Sequence, residues 1–258
     1  MRAVVTGGAH RLGRAMALYL AGRGYDVVVH YAGSADAAAQ TVADIRALGC
    51  KAQPLQADLL DPAQTDALIP RAVAALDGPL TLLINNASIF EYDSIANASA
   101  TSWDRHIGSN LRAPFFLSQA FAAQAPKATP DAQGEPLARA MIVNMLDQRV
   151  LKPTPEFITY SLAKHALWAL TRTMAQALAP DIRVNGIGPG PTMQGVRQSS
   201  GHFAAQRAAT ILGRGASPAE ICTTLGYLLD SPGVTGQMIA VDGGQHLAWG
   251  TPDVLGVE

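Results

Sequence analysis

The chain has 258 residues, of which 48% are hydrophobic and 15% are charged, and its formal net charge is −1 at pH 7. Such a chain can bury a large core, and without a cluster of lysines or arginines it is not expected to bind nucleic acid or an anionic membrane surface. No apolar run approaches the roughly 20 residues of a membrane-spanning helix, two cysteines are too few for a disulfide scaffold, and a strand starting beside Met1 leaves no room for a secretory signal. We therefore expect a cytoplasmic protein that acts on a small molecule.

The first third of the chain alternates short apolar runs with amphipathic stretches. The apolar runs predict strands at residues 2–6, 26–31, 52–56 and 80–84. Between them, helices are expected after residue 12 and over 35–48 and 62–76. The first of these helices carries Leu12, Met16 and Leu20 on one stripe, and the glycines around Arg23 end it.

The same alternation continues to the end of the chain. It predicts a helix over 103–124, a strand over 140–145, a helix that ends before Pro180, and strands over 182–187 and 237–241. About seven parallel strands with helical crossovers make a doubly wound α/β sheet, which we interpret as one domain over residues 1–258. In such sheets ligands bind beyond the carboxyl ends of the strands.

Two segments interrupt this alternation. Residues 126–137 are rich in proline, alanine and glycine and are expected to form a surface loop. Residues 193–215 follow a Gly-Pro-Gly-Pro turn, and they are either a mobile lid or a plain surface excursion.

The first strand runs into a glycine-rich turn and then a helix. Gly7, Gly8 and Gly13 lie where backbone N–H groups and the positive end of a helix dipole meet a pyrophosphate, although a tight turn alone also accounts for them. Arg11 takes the position of the middle glycine of the common dinucleotide fingerprint. A guanidinium at this turn favours an additional anionic group on the ligand.

The second strand ends in His30 and Tyr31 and has no acidic residue to hold the ribose hydroxyls of NAD. Arg11, His30 and Ser34 are candidates to bind a 2′-phosphate instead, so the sequence favours NADPH over NADH. The alternative is that His30 and Ser34 only begin a loop.

Polar residues also follow the third and fourth strands. These candidates for contacts with the adenine and ribose are Asp58, Leu59, Asn85, Asn86, Ala87 and Ser88. The polar residues among them are equally suited to a turn or to a helix cap. Their recurrence at successive strand ends favours the ligand interpretation.

Tyr160 and Lys164 are four residues apart on one face of a predicted helix, and Asp147 precedes the tyrosine by thirteen positions. A phenol transfers a proton near neutral pH when its anion is favoured, and we expect the ammonium of Lys164 to lower the pKa of Tyr160. An acid–base tyrosine beside a hydride carrier indicates a carbonyl or imine reductase. Scattered histidines and the lack of paired cysteines predict no metal site.

The chain resembles the short-chain dehydrogenase/reductase family over essentially its whole length. The motifs that carry the resemblance are Thr6-Gly7-x-x-x-Arg11-Leu12-Gly13, Asn85-Asn86-Ala87-Ser88, Asn110, Tyr160-x-x-x-Lys164, Pro189-Gly190 and Val241-Asp242-Gly243-Gly244. The resemblance implies a Rossmann-type fold, a homotetramer and a cofactor site that includes Pro189, Gly190 and Thr192. It also implies that Lys164 holds the nicotinamide ribose and that Asn110 supports a bound water and the lysine.

Three departures from the family pattern resemble its pteridine reductase branch, which includes the dihydromonapterin reductases of bacteria. They are Arg11 in the glycine turn, His30-Tyr31 after the second strand, and Asp147 in place of the usual serine. The resemblance implies reduction of a C=N bond of a pterin or dihydropterin by NADPH, with Phe90 stacked on the pterin. The substrate residues it implies are Arg11, Ser88, Phe90, Asp147 and Tyr160.

Two other functions stay open from the sequence. One is a carbonyl, 3-oxoacyl or alcohol reductase in which Asp147 fills the place of the serine. A separate interpretation of Asp147 is that it is ionised and pairs with Arg149 or another cation, which leaves an enzyme impaired for carbonyl chemistry. The other is a dinucleotide-sensing protein without turnover, although a sensor has no need of the Tyr160–Lys164 pair. The stretch 245–258 either seals a neighbouring subunit's site or hangs free.

Overall fold

The computed structural model describes residues 1–195 and 198–250. Its strands are β1 (Arg2–Val5), β2 (Asp26–Tyr31), β3 (Ala52–Gln56), β4 (Leu82–Asn85), β5 (Thr129–Pro130), β6 (Pro136–Leu137), β7 (Ala140–Met145), β8 (Ile182–Pro189) and β9 (Met238–Val241). Seven of them form one parallel sheet in the order β3-β2-β1-β4-β7-β8-β9. This confirms the predicted doubly wound α/β fold. The segment predicted as a plain surface loop also contains a small antiparallel ribbon of β5 and β6.

Eight α-helices are present in the described ranges. They are α1 (Arg11–Gly22), α2 (Ala35–Ala47), α3 (Pro62–Ala75), α4 (Ala100–Ile107), α5 (Ala113–Gln124), α6 (Ile158–Ala177), α7 (Ser200–Ala208) and α8 (Pro218–Asp230). The helix predicted over 103–124 begins earlier, because Ser99 and Ser102 form a capping box. One turn of π-helix (Gly108–Arg112) then divides it into α4 and α5.

The sheet is covered by helices on both faces. Alternate strand residues point to opposite sides, so Val5 and Val29 pack in one core cluster while Val4 and Val28 pack in the other. Helices α1, α2 and α8 contribute Met16, Leu20, Ile45 and Leu225 to the first cluster, and helices α3, α5 and α6 contribute Leu68, Leu117, Phe121 and Met174 to the second. Burial on both faces explains why these strands are continuous apolar runs.

The strand order reverses between β1 and β4, which pair directly with Val5 opposite Ile84. The glycine turn after β1 and the residues after β4 therefore leave the same edge of the sheet side by side. This is the switch point at which doubly wound folds bind ligands.

The segment predicted as a lid or surface excursion contains α7, which has no buried residue. Arg207 on α7 donates hydrogen bonds to the carbonyl oxygens of Pro191, Gly215 and Ala216, so both ends of the segment are held together. Residues 196–197 of this segment and residues 251–258 of the C-terminal stretch lie outside the described residues. Across the two described ranges, no helix combines the length and apolar character of a membrane span.

Candidate active site

A cleft with a volume of about 460 Å³ opens at the carboxyl edge of the sheet. Its walls come from the glycine turn, the segment after β4, the segment after β7, the start of α6 and the turn after β8. The predicted site residues that line it are Gly7, Arg11, Leu12, Gly13, Asn86, Ala87, Ser88, Phe90, Asp147, Tyr160, Lys164, Pro189, Gly190 and Thr192. The fold thus brings together residues from the first and last thirds of the chain.

The glycine turn requires glycine at two positions. Gly7 has a φ of +62°, and a β-carbon at Gly13 would overlap the carbonyl oxygen of Gly7. The Nδ2 group of Asn86 donates to the carbonyl oxygens of Thr6 at 2.8 Å and Gly7 at 3.3 Å, which fastens the turn to the end of β4. Asn86 therefore shapes the cradle as well as lining it.

The turn leads directly into the N-terminus of α1, which is left available to an anion. His10 precedes this helix and makes no side-chain capping hydrogen bond, and the first turn contains no acidic residue. The N–H groups and positive dipole end of such a helix attract a pyrophosphate. This end of the cleft fits a dinucleotide.

His30 does not reach this cleft, which corrects its predicted role. The ring is 2% exposed, its Nδ1 accepts a hydrogen bond from the Gly7 N–H at 3.0 Å, and its Nε2 lies 3.0 Å from the carbonyl oxygen of Ala57. Burial lowers the pKa of His30 to about 4, so the ring is neutral and has no free nitrogen for a 2′-phosphate. It supports the glycine turn from behind.

Arg11 lines the cleft, but its guanidinium is already used. It donates to the carbonyl oxygens of Met193 at 3.0 Å and Gln194 at 2.7 Å. The side chain therefore connects the glycine turn to the segment after β8, and its expected contact with an additional phosphate stays a prediction. Tyr31 and Ser34 are half-buried outside the cleft walls, and the Ser34 hydroxyl makes no capping bond to α2.

Two further predicted residues, Asn85 and Asn110, face inward. Asn85 is buried and donates from Nδ2 to Asn144 Oδ1 at 2.9 Å and to Ser118 Oγ at 3.3 Å. Asn110 lies in the π-helix, where its side chain is bonded to the backbone N–H and C=O of Ile89. The Asn110 side chain makes no direct hydrogen bond to Lys164, which donates to the carbonyl oxygen of Met145, and its support of a bound water and the lysine stays a prediction.

The pair after β3 has separate local roles. The carboxylate of Asp58 accepts a hydrogen bond from the Leu60 N–H at 2.9 Å, and Leu59 is packed in the core. Neither residue lines the cleft. Thr192 does line it, with its hydroxyl donating to the carbonyl oxygen of Gly190 at 3.1 Å.

Two of the predicted catalytic residues of the cleft, Asp147 and Tyr160, are in direct contact. The Tyr160 hydroxyl donates to Asp147 Oδ2 at 2.9 Å, and the backbone N–H of Arg149 donates to Oδ1 at 2.8 Å. Arg149 Nη1 lies 3.8 Å from the same Oδ2. Asp147 is therefore shared between the phenol and a guanidinium, so that the two arrangements weighed from the sequence occur together.

The pKa values differ from the sequence expectation. Burial, followed by the charge of Asp147 and the hydrogen bond to it, raises the pKa of Tyr160 well above its usual value. Lys164 Nζ donates to the carbonyl oxygen of Met145 at 2.8 Å, and burial lowers the pKa of Lys164 to about 8. The expectation that Lys164 lowers the tyrosine pKa is wrong here, because burial and the closer carboxylate outweigh the ammonium.

Aromatic rings form one wall of the cleft. Phe90 is 45% exposed and stacks on Phe157 with a centroid distance of 4.2 Å. Its ring also makes an edge-to-face contact with the Tyr160 ring, at a centroid distance of 4.7 Å. The Arg149 guanidinium lies 5.5 Å from the Phe90 centroid and 5.1 Å from that of Phe157. Sequence reasoning missed Phe157 and the ring contacts of Arg149, and the signal that could have found them is that these residues lie close in sequence to Tyr160 and Asp147.

Comparisons with known proteins agree with this geometry. The family model described as short chain dehydrogenase matches residues 1–204. The chain is 31% identical to the 3-oxoacyl-[acyl-carrier-protein] reductase FabG of Staphylococcus aureus over 95% of this chain and 98% of that protein. It is 32% identical to pteridine reductase 1 of Leishmania tarentolae over 95% of this chain and 96% of that protein.

A solved structure is similar along the whole chain. FolM alternative dihydrofolate reductase 1 of Brucella suis, crystallised in complex with NADP, is 40% identical with a TM-score of 0.90 and coverage of 98% for both chains. This similarity and that to pteridine reductase 1 support the pteridine reductase-like branch inferred from the motifs. The chain is an oxidoreductase that belongs to the short-chain dehydrogenase/reductase family.

Proposed function

We propose that this protein is an NADPH-dependent reductase that acts on a C=N bond of a pterin or dihydropterin. The proposal depends mainly on the Asp147 carboxylate. It accepts a hydrogen bond from the Tyr160 hydroxyl at 2.9 Å, inside a cleft that Phe90 lines. A serine in this position offers a hydroxyl to a carbonyl substrate. A carboxylate instead accepts the N–H donors of an aminopterin edge.

The cofactor is assigned to the glycine turn and the α1 N-terminus. In this cradle a β-carbon at Gly13 would overlap the carbonyl oxygen of Gly7. The first N–H groups of α1 have no hydrogen bond from a capping side chain. The Brucella suis relative was crystallised with NADP, which supports NADPH as the cofactor here. When bound, NADPH supplies the hydride for the reduction.

Selection of NADPH over NADH is assigned to the end of β2. No acidic residue occurs from His30 to Ser34 to repel a 2′-phosphate, and the Ser34 hydroxyl stands at the N-terminus of α2 without bonding to it. Asp36 is exposed in the first turn of that helix. With His30 buried, Ser34 and the α2 N-terminus are the groups that we assign to the phosphate.

The substrate is assigned to the aromatic wall of the cleft. The exposed Phe90 ring offers a flat apolar surface, as a planar heterocycle requires. Asp147 and Ser88 place polar groups on the same cleft, and Arg149 beside Phe90 adds a cation. A planar substrate with several ring donors and acceptors uses all of these groups, whereas a simple ketone uses few of them.

Proton transfer is assigned to the Tyr160–Asp147 pair. Because its pKa is raised, the Tyr160 hydroxyl stays protonated at neutral pH and is available as a donor. The Arg149 N–H fixes one oxygen of Asp147 while the other faces the phenol. The pair thus holds a proton in the cleft for delivery to the ring nitrogen. Lys164 is held at the end of β7 by its hydrogen bond to the Met145 carbonyl oxygen.

A second candidate is reduction of a 3-oxoacyl compound or another ketone. The 31% identity to the staphylococcal 3-oxoacyl-[acyl-carrier-protein] reductase favours it. In that reaction Asp147 occupies the place of a serine and contributes little. The two candidates therefore differ in how they depend on Asp147.

The direct test is an assay of NADPH oxidation by the purified protein. The substrates are dihydrobiopterin, folate, dihydrofolate, a panel of ketones and a 3-oxoacyl thioester. We expect turnover of the dihydropterin to exceed that of every ketone. Rapid ketone or thioester reduction without pterin turnover contradicts the proposal and selects the second candidate.

Asp147→Ser provides the residue-level test. We expect kcat for the dihydropterin to fall about a hundredfold, because a hydroxyl neither accepts two ring donors nor shares the Tyr160 proton as a carboxylate does. Ketone turnover should be unchanged or raised. Asp66→Ser, on the exposed face of α3, is the matched control and should behave like the wild type. Equal pterin kcat values for Asp147→Ser and the wild type contradict the assignment.

A further inference from the structure

Behind the aromatic wall lies a buried group of three polar side chains that the proposed reaction does not use. His106 on α4 is 0% exposed, and Asp93 and Thr159 are each 2% exposed. None of the three lines the cleft. Burying an aspartate, a threonine and a histidine together is costly unless their hydrogen bonds are satisfied, so the arrangement needs a physical account.

The hydrogen bonds of this group run in one direction. The backbone N–H of Glu91 donates to His106 Nε2 at 3.1 Å, so Nε2 is an acceptor and the ring proton is on Nδ1. Nδ1 lies 2.7 Å from the Thr159 hydroxyl oxygen. The Thr159 hydroxyl in turn donates to Asp93 Oδ2, and the Thr159 N–H donates to Asp93 Oδ1 at 3.2 Å.

The charges are consistent with this direction. Burial alone raises the pKa of Asp93, but the hydrogen bonds from Thr159 and Ser102 reverse the shift and hold it below its usual value. Burial lowers the pKa of His106, which keeps the ring neutral and Nε2 able to accept. A carboxylate therefore ends a chain of donors that begins at the Glu91 backbone.

This chain joins the two segments that carry the cleft's aromatic residues. Glu91 follows Phe90, and Thr159 precedes Tyr160. A second tie is the Phe157 N–H, which donates to the backbone carbonyl oxygen of Asp93 at 2.7 Å. The segment after β4 and the start of α6 are therefore fastened together next to the 4.7 Å contact between the Phe90 and Tyr160 rings.

Stability alone does not account for such a group. Apolar side chains of similar volume fill a buried space at least as well as a polar network does. A satisfied network instead fixes one relative arrangement of the segments that it joins. Its position behind Phe90 and Tyr160 indicates which arrangement is fixed.

We propose that His106, Thr159 and Asp93 form a positioning network that sets Phe90 and Tyr160 in the geometry needed for catalysis. The proposal rests on the proposed function, in which Phe90 stacks on the substrate and Tyr160 handles the proton. None of the three residues lines the cleft, so they act through the two segments that they join and through the edge-on contact of the His106 ring with the Tyr160 ring, at a centroid distance of 6.1 Å.

The test is the pair Thr159→Val and Thr159→Ser. Valine keeps the shape of threonine and removes the hydroxyl, whereas serine keeps the hydroxyl. We expect Thr159→Val to lower kcat between about tenfold and a hundredfold, because a misplacement of about 1 Å in a reacting group costs roughly a hundredfold in rate. The KM for NADPH should be unaffected, since the glycine turn lies elsewhere, and Thr159→Ser should restore kcat.

Thr173→Val, an exposed position on the same helix, is the matched control and should retain wild-type kcat. A Thr159→Val enzyme with wild-type kcat overturns the proposal. So does a loss of kcat that Thr159→Ser does not restore, because the hydroxyl is then not the group that matters.

A second measurement requires no turnover. Nitrogen-15 NMR of the wild-type protein, assigned by the signal that His106→Phe removes, should show a neutral ring with its proton on Nδ1. A proton on Nε2, or a charged ring at pH 7, overturns the network. If the wild type reduces ketones and no pterin, the proposed function fails. The Thr159 pair is then measured with the ketone, where an unchanged kcat in Thr159→Val overturns the positioning of Tyr160.

Discussion

The His30 ring is buried behind the glycine turn and connects β2 to β1 in its neutral form. Its Nδ1 accepts the Gly7 N–H, and an imidazolium cannot accept it. The pKa of His30 is lowered to about 4 from its usual value of 6.5. Between these two pH values His30 is protonated in the unfolded chain but stays neutral in the folded protein.

We predict that stability falls as the pH drops from 6.5 towards 4, with a contribution from His30 of roughly 3 kcal/mol. In His30→Asn the amide oxygen still accepts the Gly7 N–H but does not titrate, so this part of the pH dependence should disappear. Chemical denaturation at several pH values measures it. His202→Asn, at an exposed position, should keep the wild-type slope. A wild-type slope in His30→Asn contradicts the prediction.

Ser34 stands at the N-terminus of α2, where we assign the 2′-phosphate of NADPH. In Ser34→Asp a carboxylate at the N-terminus of α2 should repel the 2′-phosphate and raise the KM for NADPH by about tenfold or more, with a smaller effect for NADH. Aspartate is a good N-cap, so the helix should remain intact. Ser34→Asn is the neutral control. Identical NADPH constants for the aspartate and asparagine variants would place the phosphate elsewhere.

Among the elements, the turn between β1 and α1 tolerates the least change. A β-carbon at Gly13 would overlap the Gly7 carbonyl oxygen and approach Asn86 Nδ2, and neither is the flexible end of a side chain free to withdraw. The turn and the residues after β4 would have to separate. The cradle for the pyrophosphate is formed by that close approach.

We predict that Gly13→Ala weakens NADPH binding at least a hundredfold, measured by the quenching of protein fluorescence on titration. Gly22→Ala is the matched control in the same helix, because a β-carbon there meets nothing within 4 Å. That variant should bind NADPH normally and be as stable as the wild type or slightly more so. Tight NADPH binding by Gly13→Ala would show that the turn can move.

Some apolar side chains on the helices are exposed on the surface of the molecule and do not join its core. Phe115 and Phe116 on α5 and Leu162 on α6 are 42%, 36% and 47% exposed. Exposed apolar groups on neighbouring helices are typical of surfaces covered by another subunit. Together with the family resemblance, they favour the homotetramer.

Size-exclusion chromatography with light scattering should therefore give about 108 kDa, four times the chain mass of 27.0 kDa. Leu162→Glu should give a smaller species, since a charge is buried poorly in a subunit interface. Leu48→Glu, exposed at the end of α2, should leave the mass unchanged. A wild-type mass of about 27 kDa would contradict the tetramer.

The fold and the outline of the cleft could be predicted from the amino-acid sequence. The parallel sheet with helical crossovers follows from the alternation of apolar runs and amphipathic stretches, which is a local pattern, whereas the strand order β3-β2-β1-β4-β7-β8-β9 comes from the structure. The four-residue spacing of Tyr160 and Lys164 places both on one helix face wherever that helix packs. Glycines at a strand end predict a close backbone approach in the same local way.

Which polar side chains face the cleft could not be predicted in this way, because it depends on packing between distant elements. His30, Asn85 and Asn110 follow the expected pattern, yet each turns inward to partners from other elements. The raised pKa of Tyr160 likewise depends on burial and on how closely Asp147 approaches. Orientation, burial and distance between residues far apart in the chain arise from packing, and a one-dimensional pattern does not contain them.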